Sequence, residues 1–313
     1  MRLIRHLADY QPDAPLALAI GNFDGLHAGH RAVLARMQQL AEAQSLVPAV
    51  LTFEPHPRQF FAPASPPFRI ETPRDKLARL AALGVARAFA LPFNAAMAAR
   101  SPDAFLEGML RTQMGVSAVV TGEDFAFGQA RAGTIASLRD WGSAHGITTA
   151  HVPPVTLAGE VCSSTVIRQA LQAGDMARAA RFLQRDYTLS GRVRHGEKRG
   201  RTLGFPTANI LPHPRLMLPR FGVYAVRVWL DGSACEGVAN LGIRPTVDGT
   251  SRPRLEVHLL EYAGDLYGRK LEVALLHFLR EEKRFDSLAA LTHQMALDVG
   301  AARAFFMEPL HAE

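Results

Sequence analysis

Cysteine is scarce in this chain of 313 residues. The two cysteines, Cys162 and Cys235, lie far apart and follow no pairing or metal-binding pattern, so we expect reduced thiols and a cytoplasmic protein. Apolar runs of membrane-spanning length are absent, and residues 1–15 lack the apolar segment of a signal peptide. These absences argue against a disulfide scaffold and predict a protein without a membrane partner.

Internal repeats, low-complexity tracts and the G-x-x-x-x-G-K-[ST] phosphate loop are absent as well. The chain is long enough to favour two domains, and its 48% hydrophobic residues suffice for ordinary cores. A formal charge of +6 and an isoelectric point of about 9.7 favour anionic ligands. Nucleotides meet that requirement as well as nucleic acid does, so charge alone does not separate the two.

Apolar strand-like runs alternate with helical stretches in the N-terminal half of the chain. The runs are 16–20, 47–53, 85–91, 118–121 and 147–152, and the helical stretches lie near 31–43, 73–83, 102–114 and 134–144. This alternation predicts an α/β fold with a doubly wound parallel sheet.

The character of the sequence changes in its C-terminal half. Residues 163–185 predict two short helices, whereas residues 188–280 carry short β runs separated by Gly and Pro turns. The β runs predict a small antiparallel barrel, which a helix or helix pair over 286–306 closes. We therefore expect an N-terminal domain over 1–185 and a C-terminal domain over 186–313.

The segment Gly21–His30 holds three glycines, an aspartate and two histidines between the first predicted strand and the first predicted helix. Ligands bind at this edge of open α/β sheets, and free N–H groups at a helix N-terminus bind phosphate. His27 and His30 can stabilise charge on a transferring phosphate, because Gly29 leaves no side chain between their rings and the ligand. Two other interpretations stay open: incidental histidines in a surface loop, and a zinc site, although no cysteine or third histidine is nearby.

Three further segments contribute polar or aromatic side chains to the same predicted site. Two of them, 53–57 and 121–128, lie at the ends of predicted strands. They should flank the segment Gly21–His30, called the histidine loop below, because strand C-termini converge on one crevice. The third, Ser163-Ser164-Thr165, begins a predicted helix that carries Arg168 on its first turn. Hydroxyls, free N–H groups and a guanidinium can form a triphosphate site, whereas plain helix capping is the alternative for the hydroxyls.

A basic, glycine-rich loop over 191–204 opens the C-terminal domain, with four glycines and five cationic residues. Such a loop can wrap an anion, and an RNA-binding patch is the alternative, although aromatic residues are sparse in it. Thr207 and Asn209 alternate on an extended segment, and their side-chain oxygens suit Mg²⁺. Glu256 and His258 share a face of a predicted strand, where Glu256 can deprotonate an alcohol or stand as an ordinary exposed residue.

The motifs G-x-F-D-G-x-H-x-G-H, F-x-P-H-P, G-x-D-F-x-F-G and S-S-T-x-I-R occur in this order. They resemble the adenylyltransferase module of the bacterial bifunctional riboflavin kinase/FMN adenylyltransferases, also called FAD synthetases. The resemblance implies two catalytic histidines, His27 and His30, and contacts between ATP and Gly21, Asn22, Asp24, Gly29, Asp124, Ser164, Thr165 and Arg168. It places Phe125 and Phe127 near the flavin or adenine, although core packing is an equal alternative for both. His56 faces a phosphate or serves as a turn residue.

The motifs G-R-x-L-G-F-P-T-A-N, N-x-G-x-R-P-T, E-x-H-L-L and G-D-L-Y-G resemble the riboflavin kinase module of the same family. The resemblance implies that Glu256 is the general base for the ribityl 5′-hydroxyl and that Thr207 and Asn209 are ligands of Mg²⁺–ATP. Further implied contacts are those of the nucleotide with Gly200 and Gly204, and those of the flavin with Asn240, Arg244 and Arg284.

Together the two resemblances imply a cofactor-synthesising enzyme with Mg²⁺ as cofactor and ATP as co-substrate. Riboflavin would be phosphorylated to FMN, and FMN would be adenylylated to FAD with release of pyrophosphate; no nucleic-acid partner is expected. The absence of an evident nucleophile favours direct in-line transfer. Two other functions stay open: a nucleotidyltransferase whose barrel only binds flavin, and a non-enzymatic regulator that binds flavin or RNA.

Overall fold

The computed structural model describes residues 1–194, 205–245 and 251–307, without the side chains of 244, 245 and 251. The chain forms two compact units, of which the first spans Met1–Ser164 and the second begins at Thr165. Packing thus groups the helical residues after Ser164 with the second unit, and the domain boundary predicted at 185/186 stays a prediction.

The first unit is built on a six-stranded sheet in which every pairing is parallel. Its strands are β1 (Arg2–Ile4), β2 (Leu16–Ile20), β3 (Val47–Phe53), β4 (Arg87–Leu91), β5 (Val116–Gly122) and β6 (Thr148–Val152). Their order across the sheet is β1-β4-β3-β2-β5-β6. The histidine loop therefore leaves the sheet at the carboxyl end of a central strand, β2.

Helices cover both faces of this sheet. They are α1 (Ala28–Ala43), α2 (Pro57–Phe61), α3 (Pro73–Ala82), α4 (Ala95–Ala98), a π-helix (Ala104–Gln113) and α5 (Ile135–His145), and a small ribbon pairs β7 (Thr156–Leu157) with β8 (Glu160–Val161). Along β2, Leu16 and Leu18 pack in one core cluster, whereas Ala17 and Ala19 pack in a second. A strand buried on both sides in this way is typical of a doubly wound sheet, and the predicted α/β fold is confirmed.

Two of the differences from the sequence expectation have a clear local cause. The strand β1 is not predicted, because it is three residues long and only Ile4 is buried, so it shows no periodic pattern. The helix α1 begins at Ala28 rather than Arg31, because His27 caps it: the His27 side chain accepts a hydrogen bond from the backbone N–H of His30.

The C-terminal part of the chain forms a closed antiparallel barrel, as the sequence predicts. Two helices, α6 (Ser164–Ala173) and α7 (Met176–Leu183), precede β9 (Tyr187–Arg194), β10 (Ala208–Ile210), β11 (Gly222–Leu230), β12 (Ser233–Pro245), β13 (Ser251–Leu259) and β14 (Lys270–Arg280). The strand order around the barrel is β10-β13-β12-β11-β14-β9.

One long helix, α8 (Leu288–Met307), packs against the outside of the barrel over β11, β12 and β14. Leu255, Val257 and Leu259 alternate along β13 as buried residues of the barrel interior. The residues between them, Glu256 and His258, consequently lie on the outer face of the sheet. The fold thus places the predicted kinase residues on the face that α8 covers.

Candidate active sites

The loop between β2 and α1 has a strained backbone. Phe23, Gly25 and Leu26 have φ angles of +50°, +90° and +46°, a region that bulky residues rarely adopt. Phe23 and Leu26 are fully buried and pack with residues of α1 in the core. Apolar side chains therefore anchor the loop that leads to the two histidines.

His27 and His30 lie together at the start of α1. Their rings stack with centroids 3.7 Å apart, and Nδ1 of His27 accepts a hydrogen bond from the backbone N–H of His30 at 3.3 Å. This bond assigns the proton of the neutral His27 ring to Nε2, which can donate to a ligand. A Cβ atom on Gly29 would lie 3.2 Å from the His27 ring, so glycine at this position leaves room for the stacked pair.

His30 is held as a neutral imidazole. Burial lowers the pKa of His30 well below its usual value, and the neighbouring His27 and Lys76 act in the same direction. Its Nδ1 atom is buried, and no group among the described residues forms a hydrogen bond with it. His30 therefore adds no positive charge near neutral pH.

Buried charged residues surround the loop, and sequence reasoning missed most of them. The Asp24 carboxylate accepts a hydrogen bond from the backbone N–H of Ile70 at 3.0 Å, and Glu71 accepts one from the N–H of Gly25 at 3.0 Å. Lys76, on α3, is 5% exposed. Charged residues at the start of an amphipathic helix normally face solvent, so nothing in the local pattern indicated that Glu71 and Lys76 are buried.

The predicted phosphate-binding residues come together in part. Ser164 donates through Oγ to the backbone oxygen of Asp24 at 3.1 Å, which brings the serine run next to the histidine loop. Asn22 is exposed directly after β2. Thr165 and Arg168 follow on α6 and belong to the second compact unit, so their contact with ATP stays a prediction.

The aromatic residues after β5 occupy different environments. Phe127 is 5% exposed and packs against Phe105 in the core, whereas Phe125 is half-buried and stacks on Phe127 with centroids 5.4 Å apart. Asp124 is exposed beyond the end of the strand. His56 caps α2 through its side chain, which gives it a structural place at a helix start.

In the barrel, three polar residues stand side by side on adjacent strands. Asn209 on β10 lies directly opposite Glu256 on β13, and Glu256 lies directly opposite Asn240 on β12. Directly opposed residues share a face and lie within reach of each other. Asn209, Glu256 and Asn240 therefore form a polar row across the outer face of the barrel.

A cavity lies between this outer face and α8 and is lined by residues of both. The polar row contributes Glu256 and Asn240 to its wall, and Val223 and Val238 supply apolar surface from the barrel. Its remaining lining residues are Phe205, Thr207, His258, Arg280, Glu282, Lys283, Phe285, Leu291, Met295, Asp298 and Val299.

A second cavity lies beside the first. Thr207 and Asn209 line it together with the segment 262–267, which includes Tyr262 and Tyr267. Thr207 lines both cavities. A ligand in the second cavity and one in the first would consequently meet at Thr207, next to Glu256.

The oxygen donors at this junction fit Mg²⁺, which takes few protein ligands and keeps the oxygens of phosphate and water as the rest. The Thr207 hydroxyl and the Asn209 amide supply neutral oxygens, and Arg254 lies 3.4 Å from Asn209 Oδ1. No cluster of three or more His, Cys, Asp or Glu side chains occurs among the described residues, so a site made mostly of carboxylates or imidazoles is not found in that part of the chain.

Several residues that are predicted to contact the flavin or the nucleotide are not assigned to either cavity. Gly200 and Gly204 lie outside the described residues, as does the side chain of Arg244. Arg284 is exposed, whereas its neighbours Lys283 and Phe285 line the first cavity. The contacts assigned to these residues stay predictions.

Two family models match the chain in the order that the motifs predict. Residues 10–166 match the FAD synthetase family and residues 183–306 match the riboflavin kinase family. Bifunctional riboflavin kinase/FMN adenylyltransferases from Pseudomonas fluorescens and Escherichia coli K12 are 43% and 41% identical. The first match covers 99% of this chain and 100% of the relative, and the second covers 98% of each.

Similarity extends to a solved structure. A crystal structure described as a macrolide-efflux protein from Streptococcus pneumoniae superimposes with a TM-score of 0.86 at 29% identity, covering 96% of this chain and 98% of that one. Among the described residues, no helix is both long and apolar enough to cross a membrane. Identity above 40% over nearly the whole length establishes that the chain belongs to the family of bifunctional riboflavin kinases/FMN adenylyltransferases.

Proposed function

We propose that the first unit adenylylates FMN and that the barrel phosphorylates riboflavin. As a family member, the chain carries out two ATP-dependent reactions: riboflavin is converted to FMN, and FMN is converted to FAD with release of pyrophosphate. The observation that best supports a kinase site in the barrel is the position of Thr207, which lines two neighbouring cavities close to Glu256.

The cavity under α8 suits the flavin. Val223, Val238 and Met295 provide apolar surface for the ring system, and the polar row provides partners for the hydroxyls of the ribityl chain. Asn240 is held in this row by a hydrogen bond from its Nδ2 atom to Glu282 at 3.2 Å. A flavin in this cavity would direct its 5′-hydroxyl towards Glu256.

The proposed kinase step is a direct transfer. The Glu256 carboxylate takes the proton of the 5′-hydroxyl while that oxygen forms a bond to the γ-phosphorus of ATP, and the bond from this phosphorus to the β-phosphate oxygen breaks. ADP leaves from the second cavity. The two cavities that share Thr207 as a lining residue support this in-line geometry, because each can hold one substrate.

Thr207 and Asn209 are the residues that would hold Mg²⁺. When bound, the ion neutralises charge on the ATP phosphates. The backbone oxygen of Thr207 lies 3.5 Å from Nδ2 of Asn209, and Asn209 stands opposite Glu256. The two proposed oxygen donors thus lie beside the proposed general base.

In the proposed adenylyl transfer, an oxygen of the FMN phosphate attacks the α-phosphorus of ATP, and pyrophosphate leaves. His27 donates through Nε2 to the phosphate oxygens that gain charge, and the neutral His30, whose ring stacks on that of His27 in the first turn of α1, is the second proposed contact with the phosphates. Further proposed ATP contacts are those of Gly21, Asn22, Gly29, Asp124, Ser164, Thr165 and Arg168.

Two assignments are refined by the geometry. We propose that Asp24 orders the loop rather than binding phosphate, because its buried carboxylate accepts the N–H of Ile70 and would repel an anion. Phe125, at the edge of the core, keeps its proposed contact with the flavin. Phe127 supports Phe125 from within the core.

We also propose a cytoplasmic protein divided into an adenylyltransferase domain over 1–185 and a kinase domain over 186–313. Support for the location comes from Cys162 and Cys235, neither of which forms a disulfide in the described structure. Support for the division comes from the family matches, which end at residue 166 and resume at residue 183.

The full-length protein incubated with riboflavin, ATP and Mg²⁺ should form FMN first, which then declines as FAD accumulates. Chromatography of the flavins over time measures both steps in one reaction. Glu256→Gln should slow FMN formation by about 10²–10⁴-fold, because the general base is lost. FAD formation from supplied FMN should stay near normal in this variant.

The matched control for this test is Glu261→Gln, which removes the charge of an exposed glutamate close in sequence. Both steps should run at the wild-type rate in the control. Unchanged kinase turnover in Glu256→Gln would remove Glu256 as the base, while loss of both steps would indicate a folding defect instead of a catalytic one.

A further inference from the structure

We propose that Lys76 and Glu71 are positioning residues of the adenylyltransferase site, which hold the backbone of Asn22–Gly25 so that His27 and His30 face the phosphates. This inference rests on the proposed role of the two histidines. Neither Lys76 nor Glu71 belongs to the motifs that identify the family in this sequence; Glu71 directly precedes the N-cap of α3, and Lys76 lies on the first turn of this helix.

Lys76 reaches the loop from α3. Its Nζ atom donates to the backbone oxygen of Asn22 at 3.0 Å and to Oγ1 of Thr52 at 2.9 Å. Thr52, near the end of β3, donates in turn to the same Asn22 oxygen at 3.2 Å. One carbonyl at the carboxyl end of β2 is therefore fixed by a helix and by the neighbouring strand.

Glu71 fixes the loop three residues further along. Its Oε1 atom accepts the N–H of Gly25 at 3.0 Å, and its Oε2 atom lies 3.3 Å from Nε of Arg79. The adjacent residue, Ile70, donates its N–H to Asp24. The segment 70–76 thus contacts the loop at Asn22, Asp24 and Gly25.

The loop requires such support because of its backbone. Phe23 and Leu26 hold positive φ angles that non-glycine residues adopt only when their surroundings impose them. Leu26 directly precedes His27, so a relaxation of the loop would rotate the start of α1 and move the His27 ring. A shift of about 1 Å in a catalytic group can lower a rate about 10²-fold.

The choice of lysine supports a geometric role. Lys76 is the first lysine in the sequence and the next one is Lys198, whereas arginine is frequent throughout. A compact ammonium group can donate to a carbonyl and a hydroxyl at once, where a planar guanidinium presents a wider fork. Burial lowers the pKa of Lys76, with Arg69 adding to the effect, and the carboxylates of Glu54, Asp24 and Glu71 oppose it.

The test compares Lys76→Met and Lys76→Arg with the wild type in the full-length protein. We expect both variants to lower kcat for FAD formation from supplied FMN by about 10²-fold, with a smaller change in KM for ATP. The kinase step in the same preparation should be unchanged, which reports that the chain is folded. Arginine keeps the charge but not the geometry, so full activity of Lys76→Arg would overturn the proposal.

Two further measurements separate positioning from loss of fold. Added propylammonium should restore part of the FAD-forming rate of Lys76→Ala and leave the wild type unaffected, because it can refill the vacated donor position. In Lys76→Met, the pKa of His30 measured by NMR should rise, since one of the groups that lower it is gone. Absence of any rescue together with an unmoved His30 would overturn the proposal.

Glu71 offers a matched pair of variants. Glu71→Gln keeps an oxygen for the N–H of Gly25 and should retain most of the FAD-forming rate, whereas Glu71→Leu should lose about 10²-fold. Equal rates for the two would contradict the role of Glu71. If His27→Ala loses adenylyl transfer while all the Lys76 and Glu71 variants stay active, the positioning role is wrong and the proposed role of His27 stands. If His27→Ala is fully active, the proposed role of His27 is itself wrong.

Discussion

At the scale of single residues, Gly29 and His27 illustrate how closely the proposed phosphate site depends on side-chain size. A Cβ on Gly29 would lie 3.2 Å from the His27 ring, and the His30 ring already lies on that ring with centroids 3.7 Å apart. The stack leaves little freedom for His27. Its Nε2–H therefore points in a direction that the fold determines, as transition-state stabilisation by a preorganised donor requires.

Replacing His27 with alanine should reduce FAD formation by about 10²-fold or more, the magnitude typical of a lost transition-state donor. FMN formation should remain near the wild-type rate, because the proposed kinase residues lie in the barrel and not in the histidine loop. Chromatographic rates for each step measured separately, with FMN supplied for the second, test this expectation. Retention of full FAD synthesis would exclude His27 as a donor.

His151→Ala is the matched control for that variant. His151 is an exposed histidine on β6, in the same sheet as the loop. Its replacement removes an imidazole without touching the stacked pair. Both reactions should therefore proceed normally in the control, and a drop in FAD formation there would point to general destabilisation of the first unit.

The candidate site residues that the sequence indicates and those that it does not indicate differ in the pattern that they form along the chain. His27 and Glu256 stand in short motifs whose chemistry can be read directly. Lys76 and Glu71 form hydrogen bonds with backbone atoms that lie 54 and 46 residues away in the chain. A single sequence does not indicate contacts of this kind. Phe127 shows the opposite case, because an aromatic residue in a motif proves to be part of the core.

At the scale of elements, the cavity proposed to bind the flavin is formed between the barrel and α8, so it depends on the contacts that hold α8 over the barrel. Arg280, at the end of β14, forms two hydrogen bonds with Asp298 on α8, at 2.7 and 2.6 Å. Asp298 is 6% exposed and also accepts from Gln294 at 3.0 Å. This bidentate pair joins the two elements that form opposite walls of the cavity.

Asp298→Asn should lower the free energy of unfolding of the barrel unit by about 3 kcal/mol, because it leaves the largely buried Arg280 charge without its partner. It should also raise KM for riboflavin, since α8 lines the cavity. Urea unfolding can be followed by Trp229 fluorescence in a Trp141→Phe background, which leaves Trp229 on β11 as the single tryptophan.

Glu236→Gln is the control for this prediction. Glu236 faces Arg227 at 3.8 Å in an exposed pair on β12 and β11, and such pairs contribute about 0–1 kcal/mol. The control should therefore unfold close to the wild-type urea midpoint. Similar unfolding curves for Asp298→Asn and the wild type would show that the pair does not secure α8.

Elements with strong periodic patterns are the ones that the sequence predicts well. The strands β2 and β3 are found with the predicted bounds, 16–20 and 47–53, because each is a mostly apolar run that ends at a turn. The short strand β10 forms no pattern of its own and is held by pairing with β9 and β13. Only tertiary contacts define such an element.

At the scale of the whole molecule, the product of one reaction is the substrate of the other. The barrel residues and the histidine loop belong to separate compact units, and the proposed catalytic groups of the two reactions, Glu256 and the histidine pair, are different residues. A variant that has lost one site should therefore keep the other. This separation allows the route of FMN between the two sites to be tested with full-length chains.

An equimolar mixture of His27→Ala and Glu256→Gln should convert riboflavin to FAD, although neither variant does so efficiently alone. The first variant makes FMN and releases it, and the second adenylylates FMN that it takes up from solution. FAD should appear only after a lag in which free FMN accumulates, and the lag should shorten as either variant is made more concentrated. If the mixture forms no FAD while each variant keeps its own single activity, FMN must pass between sites of one molecule without release. Chromatography of the flavins at several protein concentrations distinguishes the two routes, because only transfer through solution makes the lag depend on concentration.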